Sequence, residues 1–222
     1  MRPPERNNHM TKSDRAWAKG ILSLYGQEFE PVLVHEDGRI FIMDWRDKGG
    51  SGNLATRYIV DKEKGDLIIK GDAGDCIASW FNSVTVEELA CYINSIYYFI
   101  EKIQCSTNKY SYKWEDVKED LEDRKQDILA LYSDGNLDDD IQISDINEDF
   151  ERMLDILGEF DLNENTIYPA ELTDLFQKYD PDWFESFTNL GRRIDRRIYL
   201  WIYGYQEGVE RLRGKEFVRK DR

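Results

Sequence analysis

Residues 54–70 read LATRYIVDKEKGDLIIK, and this stretch decides the fold class. Two short runs rich in β-branched and aromatic residues, Leu54 to Asp61 and Asp66 to Lys70, flank the turn Lys62-Glu63-Lys64-Gly65. That is the pattern of a β-hairpin. Upstream, Phe29 to His35 and Arg39 to Trp45 flank Glu36-Asp37-Gly38 in the same way. Two hairpins in series predict a four-stranded antiparallel sheet. The connection between them, Asp47 to Asn53, is too glycine-rich for a strand and reads as a mobile loop. Ser13 and Asp14 offer caps for a helix through Tyr25 with Trp17, Ile21 and Leu24 on one face. Residues 1–11, with Pro3 and Pro4 and no apolar period, read as a flexible tail.

Downstream, Gly71-Asp72-Ala73-Gly74-Asp75 leads to a short helical segment, Cys76 to Phe81. Thr85 with Glu88 three residues on forms a capping box. Leu89, Ile93, Ile96, Tyr97, Ile100 and Ile103 then recur at helical period, which predicts one long helix lying across the sheet. Beyond Tyr112 the pattern is wholly helical: Trp114 to Tyr132, Ser144 to Leu157, Ala170 to Tyr179, Pro181 to Asn189 and Arg192 to Arg213. Strands first and helices afterwards place the chain in the α+β class. The expected organisation is a tail to residue 11, an α+β domain over 12–111, and a helical region over 112–222 that begins acidic and ends in a basic helix.

The 222 residues carry 30 Lys and Arg against 45 Asp and Glu, for a net charge of −15. The acidity is local. Glu115 to Glu185 holds 24 acidic and 5 basic residues, or −19; Ser186 to Arg222 holds 10 basic and 5 acidic, or +5; the remainder sums to −1. Direct binding to nucleic acid through a general positive field is disfavoured. No run approaches the roughly 18 apolar residues of a membrane helix, and Met1 to Lys12 lacks a signal-peptide core. Three cysteines, Cys76, Cys91 and Cys105, show no metal-type spacing and predict free thiols in a reducing cytoplasm.

Several constellations are candidates for chemistry. The Gly71–Asp75 loop stands where phosphate loops stand, but it lacks their Lys-Ser/Thr pair, and Asp72 and Asp75 read better as turn and cap residues. Two acidic stretches resemble calcium loops. Asp134, Asn136, Asp138 and Asp145 supply oxygens in the first; Asp161, Asn163, Asn165 and Glu171 supply them in the second. The first has Asp139 where an EF-hand needs glycine, and the second is one residue short and contains Pro169. Arg192, Arg193, Arg196 and Arg197 are spaced to lie along one stripe of the last helix. They read as partners of the preceding acidic stretch, or alternatively as a dock for phosphate or carboxylate. His9 and His35 have no nucleophile at motif spacing. Tyr97-Tyr98-Phe99 and Tyr199 to Tyr205 read as core rather than as a base-stacking platform.

The segments Tyr58-Ile59-Val60-Asp61, Gly71 through Asn82, Tyr97-Tyr98-Phe99 and Lys102-Ile103-Gln104-Cys105 resemble a family of small accessory proteins of phages and mobile elements of Gram-positive bacteria. The resemblance spans roughly residues 54–110, and Trp183 to Arg193 is similar in flavour. It carries over no catalytic residue. It implies a protein made in the cytoplasm of an infected or lysogenic bacterium, of a kind that antagonises host defence, for example by occupying a CRISPR effector nuclease.

The expected function is that of a non-enzymatic binding protein that inhibits a host nucleic-acid-handling protein. Its partner is a host protein with a basic nucleic-acid-binding surface, met by Glu115, Asp116, Glu119, Asp120, Glu122, Asp123, Asp138, Asp139 and Asp140, with no cofactor. Solubility alone is the competing reading of the charge. The alternatives are an EF-hand-like domain stabilised by Ca²⁺, or an enzyme that acts on nucleic acid through a carboxylate-held metal.

Overall fold

The computed structural model describes residues 10–23, 28–50, 54–133, 142–163, 166–187 and 189–214. In chain order its elements are α1 (Lys12–Ser23), β1 (Phe29–Glu36), β2 (Ile40–Asp47), β3 (Thr56–Asp61), β4 (Asp66–Gly71), β5 (Cys76–Ser79), α2 (Val86–Tyr92), α3 (Ile96–Lys102), β6 (Ile103–Ser106), β7 (Tyr110–Tyr112), α4 (Trp114–Ser133), α5 (Ile143–Gly158), α6 (Ala170–Tyr179), α7 (Trp183–Phe187), β8 (Arg192–Ile194) and α8 (Arg196–Arg213). They form two units. The sheet unit comprises Met1–Lys109 with Asp195–Arg222, and the helical unit, Tyr110–Ile194, is inserted between them.

The α+β class is correct, but the expected four-stranded sheet is a six-stranded antiparallel meander, β1 to β6 in sequence order. Both additional strands come from segments that read as helix. Cys76 to Ser79 pairs with β4, turning Cys76 and Ala78 inward and leaving Ile77 exposed. The Gly71–Asp75 loop therefore precedes a strand rather than a helix N-terminus. Ile103, the last residue of the apolar stripe, pairs with Ala78 instead of continuing a helix. The expected long helix is broken into α2 and α3. Thr85 and Glu88 do cap α2 reciprocally. Beyond it, bonds from distant parts of the chain hold the break: Asn94 O accepts the Met10 N–H, and Asn94 Oδ1 accepts from Arg15. Nearby, Gln206 Nε2 donates to Ala90 O at 2.8 Å.

The expected tail also ends sooner than residue 11. Met10 is buried, and Thr11 rather than Ser13 caps α1, exchanging hydrogen bonds with Asp14 in both directions. Residues 1–9, and residues 51–53 of the glycine-rich connection, lie outside the described residues.

The inner face of the sheet holds Phe41, Met43 and Trp45 of β2, Tyr58 and Val60 of β3, and Leu67 and Ile69 of β4, all buried. Helix α8 covers it with Trp201, Ile202, Tyr205 and Val209. Close approach is permitted by two glycines one helical turn apart. A Cβ at Gly204 would stand 2.5 Å from Tyr58 Oη, and one at Gly208 would stand 2.6 Å from Met43 Cε. Tyr58 Oη donates to Trp201 O at 3.0 Å and Tyr205 Oη to Val86 O at 3.2 Å, so the two buried hydroxyls are satisfied. The outer face carries Ile42, Ile59, Ile68 and Ile77 in cross-strand register.

Helix α8 corrects the expected 112–222 region as well, because it belongs to the sheet unit. Arg192 to Ile194, read as its first turn, is instead strand β8, which pairs antiparallel with β7. The helix starts after Asp195, whose carboxylate accepts the Arg197 N–H.

In the helical unit, α4 and α5 pack through Val117, Leu121, Ile128, Ile146, Phe150 and Met153. Phe176 is the aromatic hub, stacked on Phe187 at 4.2 Å and touching Tyr168 and Trp183 at 5.7 and 6.0 Å. Among the described residues no helix is long and apolar enough to cross a membrane.

Candidate functional site

The unit boundary sharpens the charge pattern. Residues 110–194 carry 24 acidic and 8 basic side chains, or −16, while the rest of the chain carries 21 acidic and 22 basic, or +1. The whole net charge thus resides in the inserted helical unit.

On α4, burial of Val117, Leu121 and Ile128 turns Glu115, Glu119, Glu122 and Asp123 to solvent. On α5, burial of Ile146, Phe150, Met153 and Leu157 turns out Glu148, Glu151, Asp155 and, at the C-cap, Glu159. Spacings of three and four keep each set on one face. The α5 row was not among the expected contact residues, although its spacing is visible in the sequence. Glu115, Asp123, Glu148, Glu151, Asp155 and Glu159 make no ion pair among the described residues. Asp138, Asp139 and Asp140 lie outside the described residues.

Part of the expected contact set is engaged internally. Arg193 forks onto Asp120 with two bonds of 2.8 Å and approaches Asp116 at 3.6 Å and Glu119 at 3.5 Å. Asp120 also accepts the Gly191 N–H at 2.8 Å. Gly191 has φ +70°, and a Cβ there would lie 2.3 Å from Val117 Cγ2, so the turn needs glycine. The hydrogen bonds to Asp120, then the fields of Asp120, Asp116 and Glu119, push the Arg193 pKa further up against partial burial. Asp120→Ala removes three bonds and leaves a half-buried guanidinium without its bidentate partner. The expected cost is about 2–3 kcal/mol, read by thermal unfolding of the helical unit.

The other arginines do not share a stripe with Arg193. Arg192 lies over the Tyr110 ring at 4.5 Å, Arg196 over the Trp17 ring at 5.4 Å, and Arg197 binds Asp195 at 2.8 Å. A strand and a helix turn have different periods, which disperses the four groups.

The calcium candidates are spread over other tasks. Asp134, Asn136 and Asp138 lie outside the described residues, as does Asn165. Asp145 forms a capping box with Gln142 at the start of α5. Asn163 donates its side-chain amide to Asp161 O, and its N–H is accepted by Thr166 Oγ1. Glu171 is held by Arg152 at 2.5 Å. Among the described residues no group of three or more His, Cys, Asp and Glu side chains is placed to hold a metal ion. His35 pairs with Asp37 at 3.1 Å on the surface, and His9 lies outside the described residues. Burial pushes the Cys76 thiol up to about 12, which suits a packing role. Phe99, Trp201, Tyr203 and Tyr205 are buried in the core.

A unit at −16 repels itself, and screening relieves that repulsion. Raising salt from about 0.02 to 0.5 M is therefore expected to raise the unfolding temperature of the helical unit. The near-neutral sheet unit should shift much less, because it has little self-repulsion to screen. Hydrogen exchange during thermal unfolding, resolved by peptide, separates the two responses.

No protein-family model, curated protein or solved structure matches the chain.

Proposed function

We propose that the protein is a binding protein whose inserted helical unit presents carboxylates to a basic, nucleic-acid-binding surface of another protein and competes there with DNA or RNA. One observation carries the reading: the entire net charge sits in one inserted unit, with the rows of α4 and α5 facing solvent and mostly unpaired. Solubility alone needs charge of either sign anywhere on the surface. Segregation into one unit beside a neutral one instead suits a local field that steers association with an oppositely charged groove. In the setting that the family resemblance implies, the partner is a nucleic-acid-handling defence protein of a bacterial host, such as a CRISPR effector.

The test is capture from a bacterial lysate at graded salt, with the wild type beside a variant carrying Glu115→Gln, Glu122→Gln, Glu148→Gln, Glu151→Gln and Asp155→Asn. The wild type is expected to retain a nucleic-acid-binding protein that elutes between about 0.1 and 0.5 M salt and is released by added DNA or RNA. The neutralised variant loses it. Absence of any such partner at low salt, or undiminished capture by the variant, overturns the proposal.

A further inference from the structure

The outer face of the sheet is built to match itself. Pairing places Ile42 opposite Ile59, Ile59 opposite Ile68, Ile68 opposite Ile77 and Ile77 opposite Cys105, one apolar band across five strands. Helix α8 covers the opposite face, with α1 and α2 each packed on α8, while Ile77 stays 41% exposed. Ile42, Ile59 and Ile68 are half-buried and Ile77 and Cys105 are exposed, so the band is open to solvent in part, as an interaction surface can be.

Charge flanks the band asymmetrically. Along β3 the outward residues are Arg57, Ile59 and Asp61, and along antiparallel β4 they are Lys70, Ile68 and Asp66 in the same order. On these two strands one side of the band is therefore basic and the other acidic, while Asp44 of β2 stands beside Arg57 on the basic side and offsets it. Arg57 is held by Asp44 and Asp61 by Arg39, whereas Asp66 accepts only the Ser79 hydroxyl and Lys70 makes no ion pair among the described residues.

The geometry points to a second copy of this chain as the occupant of the face. A two-fold axis along the band lays two sheets face to face with strands antiparallel, each isoleucine against its own counterpart. The same operation reverses the flanks, so Asp66 of each copy meets Lys70 of the other and Asp61 lies against Arg57. Aligned sheets packed about 10 Å apart accept this arrangement, and the contact is isologous, as a closed dimer requires. Five strands at about 4.8 Å and six residues at about 3.3 Å give a patch of about 24 by 20 Å. That is smaller than the roughly 800 Å² per partner of a typical stable complex. The dimer is consequently weak and forms only as the concentration is raised.

Sedimentation velocity of the full chain from about 1 to 200 µM, at about 0.15 M salt to screen the acidic units, tests it. A reversible monomer–dimer equilibrium is expected, and Ile68→Glu abolishes it with the melting curve retained. Asp66→Lys and Lys70→Asp each weaken the dimer about tenfold or more through two like-charge contacts. An equimolar mixture of those two variants recovers it, because each introduced charge meets its opposite on the other chain. A monomer at every concentration overturns the proposal, as does a dimer that none of these changes moves. Weakening without recovery in the mixture overturns the two-fold register.

Discussion

Phe176→Ala is expected to unfold the helical unit while the sheet unit stays folded. Phe176 is fully buried and packs against three other rings, with Phe187 stacked on it at an interplanar angle of 15°. Truncation of such a side chain costs about 3–5 kcal/mol, part lost transfer energy and part cavity. A unit the size of residues 110–194 has roughly 4–13 kcal/mol of stability in total. The loss is then a large share of the whole, and its transition should fall by at least about 12 °C. Peptide-resolved hydrogen exchange should show protection lost across α4 to α7 and kept in β2 to β4. Equal loss in both units would mean that they unfold as one cooperative body.

The second large effect is a pair of identical substitutions with opposite sign. Gly20, in α1, has nothing within 4 Å of an added Cβ. Gly20→Ala gains helix propensity with no steric cost and should stabilise by about 0.5–1 kcal/mol. Gly204→Ala gains the same propensity but drives a methyl to 2.5 Å from Tyr58 Oη and 3.2 Å from Trp45 Cδ1. Tyr58 and Trp45 are buried, and the Tyr58 hydroxyl is tied to Trp201 O. Overpacking costs about 1–3 kcal/mol and the broken buried hydrogen bond about 1–3 more. The net expectation is destabilisation of about 2–4 kcal/mol in the sheet unit, measured by urea titration with an unchanged slope. If Gly204→Ala stabilised like Gly20→Ala, the close docking of α8 on β2 and β3 would be wrong.

What the sequence discloses is what neighbouring residues decide. The turns at Glu36-Asp37-Gly38 and Lys62 to Gly65, the Thr85–Glu88 box, and helices α4 and α6 follow from spacing and local bonding, and all are present in the fold. What it conceals depends on partners far along the chain. The stripe from Leu89 to Ile103 keeps its helical period straight through the break, and the bonds that hold the break at Asn94 come from Met10 and Arg15, which no local pattern reveals. Strands β7 and β8 have three residues each, and Tyr110 finds Ile194 across the whole insert. Too short to show a period, they hide the boundary between the units. The site divides the same way. The carboxylates of α4 and α5 are legible as helix faces, and pairing of arginines with the acidic stretch is the expected reading, whereas the choice of Arg193 for Asp120 is set by strand β8 and not by helical spacing.

The order in which the parts emerge during synthesis has a cost. The strands of the sheet are complete by Ser106, yet the helix that covers their apolar side begins at Arg196, after the insert of residues 110–194. At about 5–20 residues per second, the ribosome needs roughly 4–17 s to deliver that cover. Throughout this interval the nascent sheet exposes Phe41, Met43, Tyr58 and Leu67 to its surroundings. Expression at lower translation speed should therefore increase the insoluble fraction, and chaperones that shield apolar nascent chains should reduce it.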